Sequence, residues 1–499
     1  MHLAATANRL PNKVALLEGS GRRTTYGELW RAATSLASFL QREATVMRGD
    51  VVAISTAGTF EFVTAMYGAL RAGATVAALN PLFGVRDMAA RLQDVRPKIV
   101  IASPETRETL AEIVEEGTLR SPERVLRLED VGLIAADQQQ PPEAVRLDVD
   151  ADLALLGHTS GTGGLPKAVP HTHAGQTASV RQRAATGRGG ESSIVLGFHP
   201  LWFTIQLTVF SGATCVDVAG LDAVEVLDSI ERERVSEIFG RPFSIETLVS
   251  AYDRRARDLS SVHLVETSGS ALHHGLAEAA AQRFGCALRQ AYHLSEATGS
   301  VNRTLLHEVN AETVGYPVPD TEERIVDPES CAEMPIGEIG ELFVRGPQVA
   351  SGYWQRPEET AETFLAEGWL RTGDIVRQDT DGRVYVVDRA KDMMKVYGRN
   401  VAPAEIEVVL REHPLILDAA VIGVPSPEGG EIPKAFVVLS GTQEVAPAEL
   451  AAFVSARLAP YKTVQHVEFV TALPKGPGGK VLRRALAERA RAGDLPPHP

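Results

Sequence analysis

Hydrophobic positions along the first three hundred residues repeat with helical spacing in some segments and fill short runs in others. Thr25 and Glu28 have the spacing of a capping box, and apolar residues follow them at helical intervals. β-Rich runs such as 51–55 alternate with helical segments such as 61–72. Because this alternation is typical of a parallel sheet covered by helices, we predict an α/β fold for this part of the chain.

The pattern changes in the later part of the chain. Residues 304–388 consist of short strand-like runs and glycine turns, which predict a small β-barrel subdomain. Beyond Arg389 a helix predicted over 403–412 is followed by alternating strands and a second helix. About a hundred residues with this α+β pattern are enough for a separate small domain.

Composition and charge exclude several classes of protein. A chain of 499 residues exceeds what one hydrophobic core supports, so we expect at least two domains. A formal net charge of −14 argues against nucleic acid or an anionic membrane as a partner. Three cysteines without a close pair favour a reducing compartment, and the N-terminal residues lack a signal-peptide pattern. We therefore expect a soluble, cytoplasmic protein.

The sharpest local signal is a segment of hydroxyls, glycines and one lysine that follows an apolar run. It consists of Thr159, Ser160, Gly161, Thr162, Gly163, Gly164, Leu165, Pro166 and Lys167. Such a loop exposes backbone N–H groups and brings one cation to phosphate oxygens. It is not a Walker A loop, because Pro166 stands where that motif needs glycine and Ala168 follows the lysine. The segment predicts a phosphate-binding loop.

Several further motifs accompany this loop. They are Tyr-His-Leu-Ser-Glu at 292–296, Trp-Leu-Arg-Thr-Gly-Asp at 369–374, Asp-Arg-Ala-Lys-Asp at 388–392, Gly-Glu-Ile-Gly-Glu-Leu at 337–342, Gly-Tyr at 352–353, and Leu-Pro-Lys with Gly-Gly-Lys-Val within 473–481. In this order and spacing, the chain resembles the adenylate-forming superfamily over essentially its whole length. That superfamily contains acyl-CoA synthetases, adenylation domains and firefly luciferase. The resemblance implies an enzyme that activates a carboxylic acid as acyl-AMP and releases pyrophosphate from ATP.

The resemblance also implies how the nucleotide is bound. The 159–167 loop should grip the β- and γ-phosphates, and Glu296 should help to hold Mg²⁺ against phosphate oxygens. Asp374 should accept hydrogen bonds from the ribose hydroxyls, with Arg389 near the same sugar. The remaining implied nucleotide-binding residues are Gly269, Ser270 and Ala271 along the adenine, Tyr292 stacked on it, and Ser295.

Two lysines near the C-terminus have implied roles in catalysis and domain movement. Lys480 matches the mobile lysine that bridges the carboxylate and the α-phosphate in the transition state. Lys391 lies where the superfamily hinges between adenylation and acyl transfer. The resemblance thus implies an N-terminal ATP- and acyl-binding domain over 1–388, a hinge at 389–391 and a mobile lid domain over 392–499.

The positions around the acyl pocket and the acceptor channel depart from the family pattern. Phe203 replaces a histidine, His293 replaces a glycine and Tyr397 replaces a lysine that many members have. Gly398, which follows the hinge, is kept. The predicted acyl pocket consists of Trp202, Phe203, His293 and Leu294. These side chains favour an aromatic or bulky apolar acid.

The acceptor of the acyl group has three candidates. Transfer to the thiol of CoA is the usual outcome for a free-standing member. The altered channel also fits transfer to a free amine, giving an amide, with His293 as the base that takes the proton. Loading of a carrier protein in trans is the third candidate. ATP and Mg²⁺ are the predicted cofactors, CoA is a candidate co-substrate, and we expect a monomer or homodimer.

Overall fold

We describe the fold from a computed structural model of the chain. The description covers residues 2–19, 21–56, 58–115, 124–127, 130–131, 134, 141–159, 166–187, 189–198, 201–218, 222–252, 257–270, 272, 274–286, 288–306, 312–396, 399–426, 430–441, 443, 445–475 and 481–492. They group into two compact units. The first unit holds Met1–Thr159, Leu165–Glu323 and Val344–Leu370, and the second holds Arg324–Phe343 and Arg371–Pro499.

The described helices span the first unit and the C-terminal part of the second. They are α1 His2–Arg9, α2 Tyr26–Arg42, α3 Thr59–Arg71, α4 Val85–Val95, α5 Pro104–Glu115, α6 His173–Ala185, α7 Leu201–Ser211, α8 Ala223–Arg232, α9 Pro242–Tyr252, α10 His274–Phe284, α11 Pro357–Thr363, α12 Pro403–Arg411, α13 Pro447–Ser455 and α14 Arg483–Ala492. Short 3₁₀ turns lie at Ser295–Ala297, Ala366–Gly368, Ala390–Asp392 and Pro460–Lys462.

The described strands are numbered in chain order. They are β1 Val14–Leu17, β2 Arg23–Thr25, β3 Val51–Ser55, β4 Thr75–Ala78, β5 Ile99–Ala102, β6 Arg124–Arg127, β7 Leu153–His158, β8 Ala168–Thr172, β9 Ile194–Gly197, β10 Thr214–Val216, β11 Glu237–Gly240, β12 Leu264–Ser268, β13 Leu288–Leu294, β14 Gly299–Arg303, β15 Tyr316–Pro317, β16 Glu322–Val326, β17 Ile339–Arg345, β18 Leu370–Gln378, β19 Val384–Arg389, β20 Met394–Val396, β21 Arg399–Val401, β22 Ile416–Pro425, β23 Glu431–Leu439 and β24 His466–Phe469.

The first unit contains two sheets that are parallel inside and antiparallel at their edges. One has the order β6-β5-β3-β4-β7-β8, and only the β7–β8 pair is antiparallel. The other has the order β15-β14-β13-β12-β11-β9-β10-β1-β2. It is parallel from β1 through β13 and antiparallel at both edges. The predicted α/β fold is confirmed.

Local sequence signals account for the helices that cover these sheets. The Thr25 hydroxyl accepts from the Glu28 N–H and the Glu28 carboxylate accepts from the Thr25 N–H, so the predicted capping box of α2 is confirmed. Helix α3 packs against α2 closely, because Gly68 faces Leu36 where a Cβ would come within 2.9 Å of its side chain. The predicted helix over 61–72 is observed at Thr59–Arg71.

The second unit contains smaller sheets and its own core. The β-rich region predicted as a barrel contains a four-stranded sheet in the order β16-β17-β18-β19. Further on, β22, β23 and β24 form a three-stranded sheet against which α12 buries Ile406 and Leu410. Residues 371–388 belong to the same compact unit as the chain that follows, so the boundary expected at Arg389 stays a prediction. No described helix is long and apolar enough to span a bilayer.

Candidate active site

The carboxyl ends of two neighbouring parallel strands bring part of the predicted adenine site together. Strands β12 and β13 pair in parallel with Ser268 beside Ala291. Gly269 and Ser270 therefore leave the sheet next to Tyr292 of β13. Gly269 has φ +92, a conformation that favours glycine. Ligands of such sheets bind outside the carboxyl ends of the strands. Ala271 lies outside the described residues.

The two ends of the predicted phosphate loop are joined at the mouth of the β7–β8 hairpin. The Thr159 N–H donates to the Lys167 carbonyl over 3.0 Å, and the Lys167 N–H donates to Thr159 Oγ1 over 3.1 Å. These bonds extend the β7–β8 pairing by one residue pair and fix where Lys167 enters the site. Within the loop, Ser160, Gly161, Thr162 and Gly163 lie outside the described residues.

Lys167 and Glu296 meet at one tyrosine. The Lys167 Nζ lies 4.4 Å from the centre of the Tyr353 ring, which is cation–π distance. The Tyr353 hydroxyl donates to Glu296 Oε1 over 2.8 Å. Glu296 belongs to the 3₁₀ turn that follows β13, and its carbonyl accepts from the Ala350 N–H over 2.8 Å. The structure thus gathers the loop lysine, the glutamate and Tyr353 at one place.

The turn that carries Glu296 is held by a buried polar clamp. Thr298 has φ +54, and its Oγ1 lies 2.7 Å from His171 Nδ1. The same hydroxyl donates to the Gln348 carbonyl over 2.8 Å. Burial lowers the pKa of His171 to about 4, so the ring is neutral at physiological pH. The clamp ties β8, the turn and the segment before Tyr353 together.

Ser295 and His158 connect this turn to the end of β7. Ser295 Oγ donates to the His158 carbonyl over 3.2 Å, so the predicted nucleotide-binding serine lies beside the strand that leads into the phosphate loop. Both ring nitrogens of His158 are buried without a hydrogen-bond partner among the described residues. Burial, with a further contribution from Arg91, lowers the pKa of His158 to about 4.

The predicted acyl-pocket residues divide into a contacting pair and two residues of the core. The rings of Phe203 and His293 lie 5.8 Å apart between centroids. His293 Nε2 lies 2.6 Å from Ser300 Oγ across the β13–β14 pair, next to a bulge. Trp202 is buried in the main hydrophobic cluster of the first unit, and Leu294 is also buried. The pair, rather than Trp202, is in contact with polar neighbours.

Behind this pair lies a buried ionic cluster. Glu266 pairs with Arg289 at 2.7 Å and with Arg303 at 3.1 Å, and all three side chains are at most 3% exposed. Arg303 also donates to Ser300 Oγ over 2.9 Å. Arg183 donates to the Phe203 carbonyl over 2.7 Å, and burial lowers its pKa to about 9. Arg303 is therefore linked to His293 through Ser300, and Arg183 holds the backbone of Phe203.

In the second unit, the predicted ribose-binding residues form an ion pair across two strands. Asp374 of β18 faces Arg389 of β19, and the Arg389 Nε lies 3.0 Å from Asp374 Oδ1. Gly373 has φ +70 with open space around it, which lets the strand present Asp374 after a turn. Asp374 is buried and Arg389 is about one-third exposed.

The predicted hinge follows directly after this pair. Lys391 is exposed in the 3₁₀ turn Ala390–Asp392. Just before it, the buried Asp388 accepts from the Arg389 N–H over 2.7 Å and from the Ala404 N–H at the start of α12 over 2.9 Å. Burial raises the pKa of Asp388. The predicted catalytic Lys480 and the channel residues Tyr397 and Gly398 lie outside the described residues.

Comparison with known proteins identifies the family to which this arrangement belongs. The AMP-binding enzyme family matches residues 3–354. The C-terminal domain of AMP-binding enzymes matches residues 405–480. The chain belongs to the AMP-binding enzyme family. It is therefore an adenylate-forming ligase, as its motifs predict.

Relatives of this AMP-binding enzyme match over nearly its whole length. A feruloyl-CoA synthase of Amycolatopsis sp is 35% identical over 97% of both chains. A probable CoA ligase of Humulus lupulus is 32% identical over 96% of this chain and 90% of its own. A 4-coumarate–CoA ligase of Petroselinum crispum is 31% identical over 98% of this chain and 93% of its own.

Solved structures of the same architecture include nucleotide and adenylate complexes. The anthranilate CoA ligase AuaEII in complex with anthranoyl-AMP superposes with a TM-score of 0.88 at 28% identity, covering 98% of this chain and 96% of the other. ATP-bound MatB from Rhodopseudomonas palustris gives a TM-score of 0.89 at 25% identity over 98% of both. The predicted fold and ATP use of this AMP-binding enzyme agree with them.

A magnesium ion fits the carboxylate present. Among the described residues no group of three or more histidine, cysteine, aspartate or glutamate side chains could hold a metal ion. Mg²⁺ in nucleotide sites usually takes one or two carboxylates together with phosphate oxygens and water. Glu296, which makes a single hydrogen bond through Oε1, fits as that carboxylate. When bound, the ion would neutralise charge on the phosphates.

Sequence reasoning missed the residues that hold the predicted ones in place. Tyr353 lies in a recognised motif, but its partner Glu296 is 57 residues away along the chain. Ser300 meets His293 only because of a bulge in the β13–β14 pairing. Of these residues, only Tyr353 carried a signal in the sequence.

Proposed function

We propose that this enzyme activates an aromatic or bulky apolar carboxylic acid with ATP and transfers the acyl group to the thiol of CoA. The observation that carries the proposal is the similarity to feruloyl-CoA synthase over 97% of both chains. The ring pair of Phe203 and His293 supports a flat acyl group, because aromatic rings pack well in offset and edge-to-face contacts.

In the first half-reaction, an oxygen of the substrate carboxylate attacks the α-phosphorus of ATP. The bond from that phosphorus to the bridging oxygen breaks, and pyrophosphate leaves. Lys167 and the loop before it would hold the β- and γ-phosphates, and Lys480 would stabilise charge between the carboxylate and the α-phosphate. Glu296 would hold the Mg²⁺. Prearranged cations suit this step because negative charge develops on phosphate oxygens.

We propose separate residues for the base and for the sugar of the nucleoside. We assign the adenine to the segment after β12 and to Tyr292, whose ring can stack on a base. We assign the ribose to Asp374, since a carboxylate only accepts hydrogen bonds and a diol donates two. Arg389 would orient the Asp374 carboxylate through their 3.0 Å contact.

In the second half-reaction, the CoA sulfur attacks the acyl carbon of the adenylate. The thiol proton is lost, the carbon–oxygen bond to phosphate breaks, and AMP leaves. We propose that the backbone at Lys391 turns between the two half-reactions, and that Tyr397 and Gly398 line the acceptor channel. The 3₁₀ turn at 390–392, in which no residue is buried, supports Lys391 as the place where the backbone changes direction.

The contacts of His293 bear on the choice between a thiol and an amine. An amine acceptor needs a base to take its proton after attack. Arg303 already donates to Ser300 Oγ, which favours the serine proton pointing at His293 Nε2. An imidazole nitrogen that accepts this hydrogen bond has its lone pair engaged, so it is not available to take the proton of an amine. This arrangement supports CoA as the acceptor and the amine as the second candidate.

The test is carboxylic-acid-dependent release of pyrophosphate with ATP over a panel of benzoates, cinnamates and aliphatic acids. Each active acid is then offered CoA and a primary amine in one vessel, and the thioester and amide are counted by mass. We expect aromatic acids to be preferred and the thioester to dominate. Amide as the main product would show that the acceptor is an amine and not CoA. A preference for short aliphatic acids would contradict the proposed substrate class.

The His293→Gly variant tests whether His293 helps to select the carboxylic acid. It restores the residue that many family members have, so it should enlarge the pocket and shift the preference toward larger acids. The Ser300→Ala variant keeps the His293 ring but removes its hydrogen bond and serves as the control. A preference that is the same in wild type and His293→Gly would remove His293 from the pocket.

A further inference from the structure

Tyr353 stands between two charged groups that the proposed reaction needs. Its hydroxyl donates to Glu296 Oε1 over 2.8 Å, and its ring faces the Lys167 ammonium at 4.4 Å. None of the roles assigned above belongs to Tyr353. It contacts both the lysine that would hold phosphate and the glutamate that would hold the metal.

Neither charged group is in an ion pair with another described residue. A lysine and a glutamate that flank one side chain would pair directly if that side chain were small. Such a pair would neutralise both groups and compete with phosphate for the lysine and with a cation for the glutamate. The tyrosine replaces this strong pair by a cation–π contact and one hydrogen bond to a neutral hydroxyl, both of which are weaker.

The position of Tyr353 is itself fixed by α11 and by the residue that follows this helix. The Tyr353 N–H donates to Thr360 Oγ1 over 2.9 Å. The ring packs edge-on against Phe364, with centroids 5.2 Å apart and planes at 80°. Gly352 leaves no room for a side chain, since a Cβ would come within 2.6 Å of Thr360. The tyrosine is therefore held by a short helix through its backbone and by a phenylalanine through its ring, in addition to its two charged contacts.

We propose that Tyr353 is a positioning residue of the nucleotide site that keeps Lys167 and Glu296 from pairing with each other. Each group then stays available, the lysine for the polyphosphate and the glutamate for the divalent cation. The proposal rests on the ATP-dependent activation proposed above and does not depend on the acid or the acceptor.

Tyr353→Phe isolates the hydroxyl, because the ring, its packing on Phe364 and its contact with Lys167 are kept. Equilibrium binding of ATP is measured without divalent cation and with Mn²⁺ as the probe, whose bound fraction is read by electron paramagnetic resonance. We expect ATP binding without cation to be unchanged. The tightening of ATP binding by Mn²⁺ should fall roughly tenfold, since a hydrogen bond to a charged group is lost.

Tyr353→Leu removes the ring and lets Lys167 reach Glu296. We expect ATP binding without cation to weaken roughly fivefold, because the lysine is now engaged. Adding Glu296→Gln to this variant removes the competing charge and should restore that binding. A merely structural role for Tyr353 would not produce such a rescue. If Tyr353→Leu does not fold, Tyr353→Phe alone decides.

Tyr385→Phe is the matched control, because the Tyr385 hydroxyl donates to Asp379 over 3.0 Å in the second unit. It should bind ATP and Mn²⁺ as wild type does. Mn²⁺ dependence that is equal in Tyr353→Phe and wild type would overturn the proposal, as would a failed rescue by Glu296→Gln. Failure of the proposed function would give a different result. The enzyme would turn over no aromatic acid, while its binding of ATP and Mn²⁺ would still change on substitution of Tyr353.

Discussion

At the scale of single residues, the Asp374–Arg389 pair leads to a prediction for ribose binding. Asp374→Asn keeps the size of the side chain but replaces one acceptor oxygen with a donor. We expect the KM for ATP to rise roughly tenfold, because a charged acceptor is lost from a buried site. The KM values for acid and CoA should change little. Steady-state kinetics at saturating co-substrates check this.

The control for this variant is the same substitution at Asp379, in the turn between β18 and β19. Asp379 accepts from Tyr385 and from the Arg383 N–H, so its loss perturbs the sheet without touching the proposed ribose contact. An equal rise in the KM for ATP in both variants would mean that Asp374 acts only through the fold.

Lys480 gives the sharpest prediction at this scale. Lys480→Ala should lower the rate of acyl-AMP formation about 10²–10³-fold or more, while ATP binding changes little, because the lysine acts in the transition state. Acid-dependent release of pyrophosphate measures the rate, and equilibrium binding measures the nucleotide. Lys462→Ala, which removes a lysine paired with Glu405, is the control. Pyrophosphate release at the wild-type rate would contradict the assignment.

The sequence motifs indicate the charged groups that we propose for the nucleotide site, but not the groups that hold those side chains in place. Lys167, Glu296 and Asp374 lie in motifs with fixed spacing, so their positions could be read directly. The contact of Tyr353 with Glu296 depends on how distant segments pack, and no local pattern encodes that distance. The sequence also did not predict that Trp202 is buried in the core, since a large aromatic side chain is common both in pockets and in cores.

At the scale of secondary structure elements, the 3₁₀ turn at 390–392 leads to a prediction for acyl transfer. Lys391→Pro fixes φ near −65° at that residue, so the backbone can no longer turn there. Formation of acyl-AMP should stay near the wild-type rate, and thioester formation should fall roughly tenfold or more. Single-turnover measurements separate the two steps.

Lys391→Ala is the control for the proline, because it removes the side chain and leaves φ free. It should support both steps. A proline variant that forms thioester as fast as the alanine variant would place the movement elsewhere in the chain.

The clamp between β8 and the turn after β13 makes stability depend on pH. His171 has a pKa of about 4 in the fold and about 6.5 in the unfolded chain, so only the unfolded chain gains a proton between these values. The contribution of the neutral His171 ring to the free energy of unfolding is complete well above pH 6.5. It is lost as the pH falls, and the loss reaches about 2 kcal/mol at pH 5.

Denaturant unfolding at pH 7.5 and pH 5 measures this loss. His171→Gln cannot titrate and keeps a donor for Thr298, so the difference between the two pH values should shrink by that amount. Other ionisable groups affect both proteins alike and cancel in the comparison. An unchanged difference would mean that His171 takes its proton in the folded state as well.

Elements with a strong period were predicted to within a few residues. The helix at Thr59–Arg71 and the strand Val51–Ser55 follow from apolar spacing alone. The bulge in the β13–β14 pair has no such signal, yet it brings His293 to Ser300. Register irregularities depend on both strands at once, which is why sequence periodicity does not reveal them.

At the scale of the whole molecule, two compact units with separate cores predict two unfolding transitions. Leu36 of α2 and Leu410 of α12 are both fully buried, one in each unit. Truncating either to alanine costs about 2–5 kcal/mol locally. Calorimetry should show Leu36→Ala lowering one transition and Leu410→Ala the other. A single transition lowered equally by both variants would show that the units unfold together.

The overall class was the most predictable property at this scale. Alternating strands and helices fix an α/β fold because each element must bury its apolar face against the next. The division into units has no comparable local signal: residues 371–378 of β18 and the strand Val384–Arg389 group with the C-terminal chain. Contacts between distant segments decide that division.

The buried cluster around Glu266 constrains how this enzyme can evolve. Removing one partner of a buried ion pair costs about 3–5 kcal/mol, so a change at Glu266, Arg289 or Arg303 is tolerated only together with a compensating second change. Phe203 and His293 are not members of that buried ion-pair cluster, so their substitution does not leave a buried charge without its partner. If these two rings line the acyl pocket as proposed, we expect new acid preferences to arise first by substitution of the rings, while the charged residues of the cluster change rarely and in pairs.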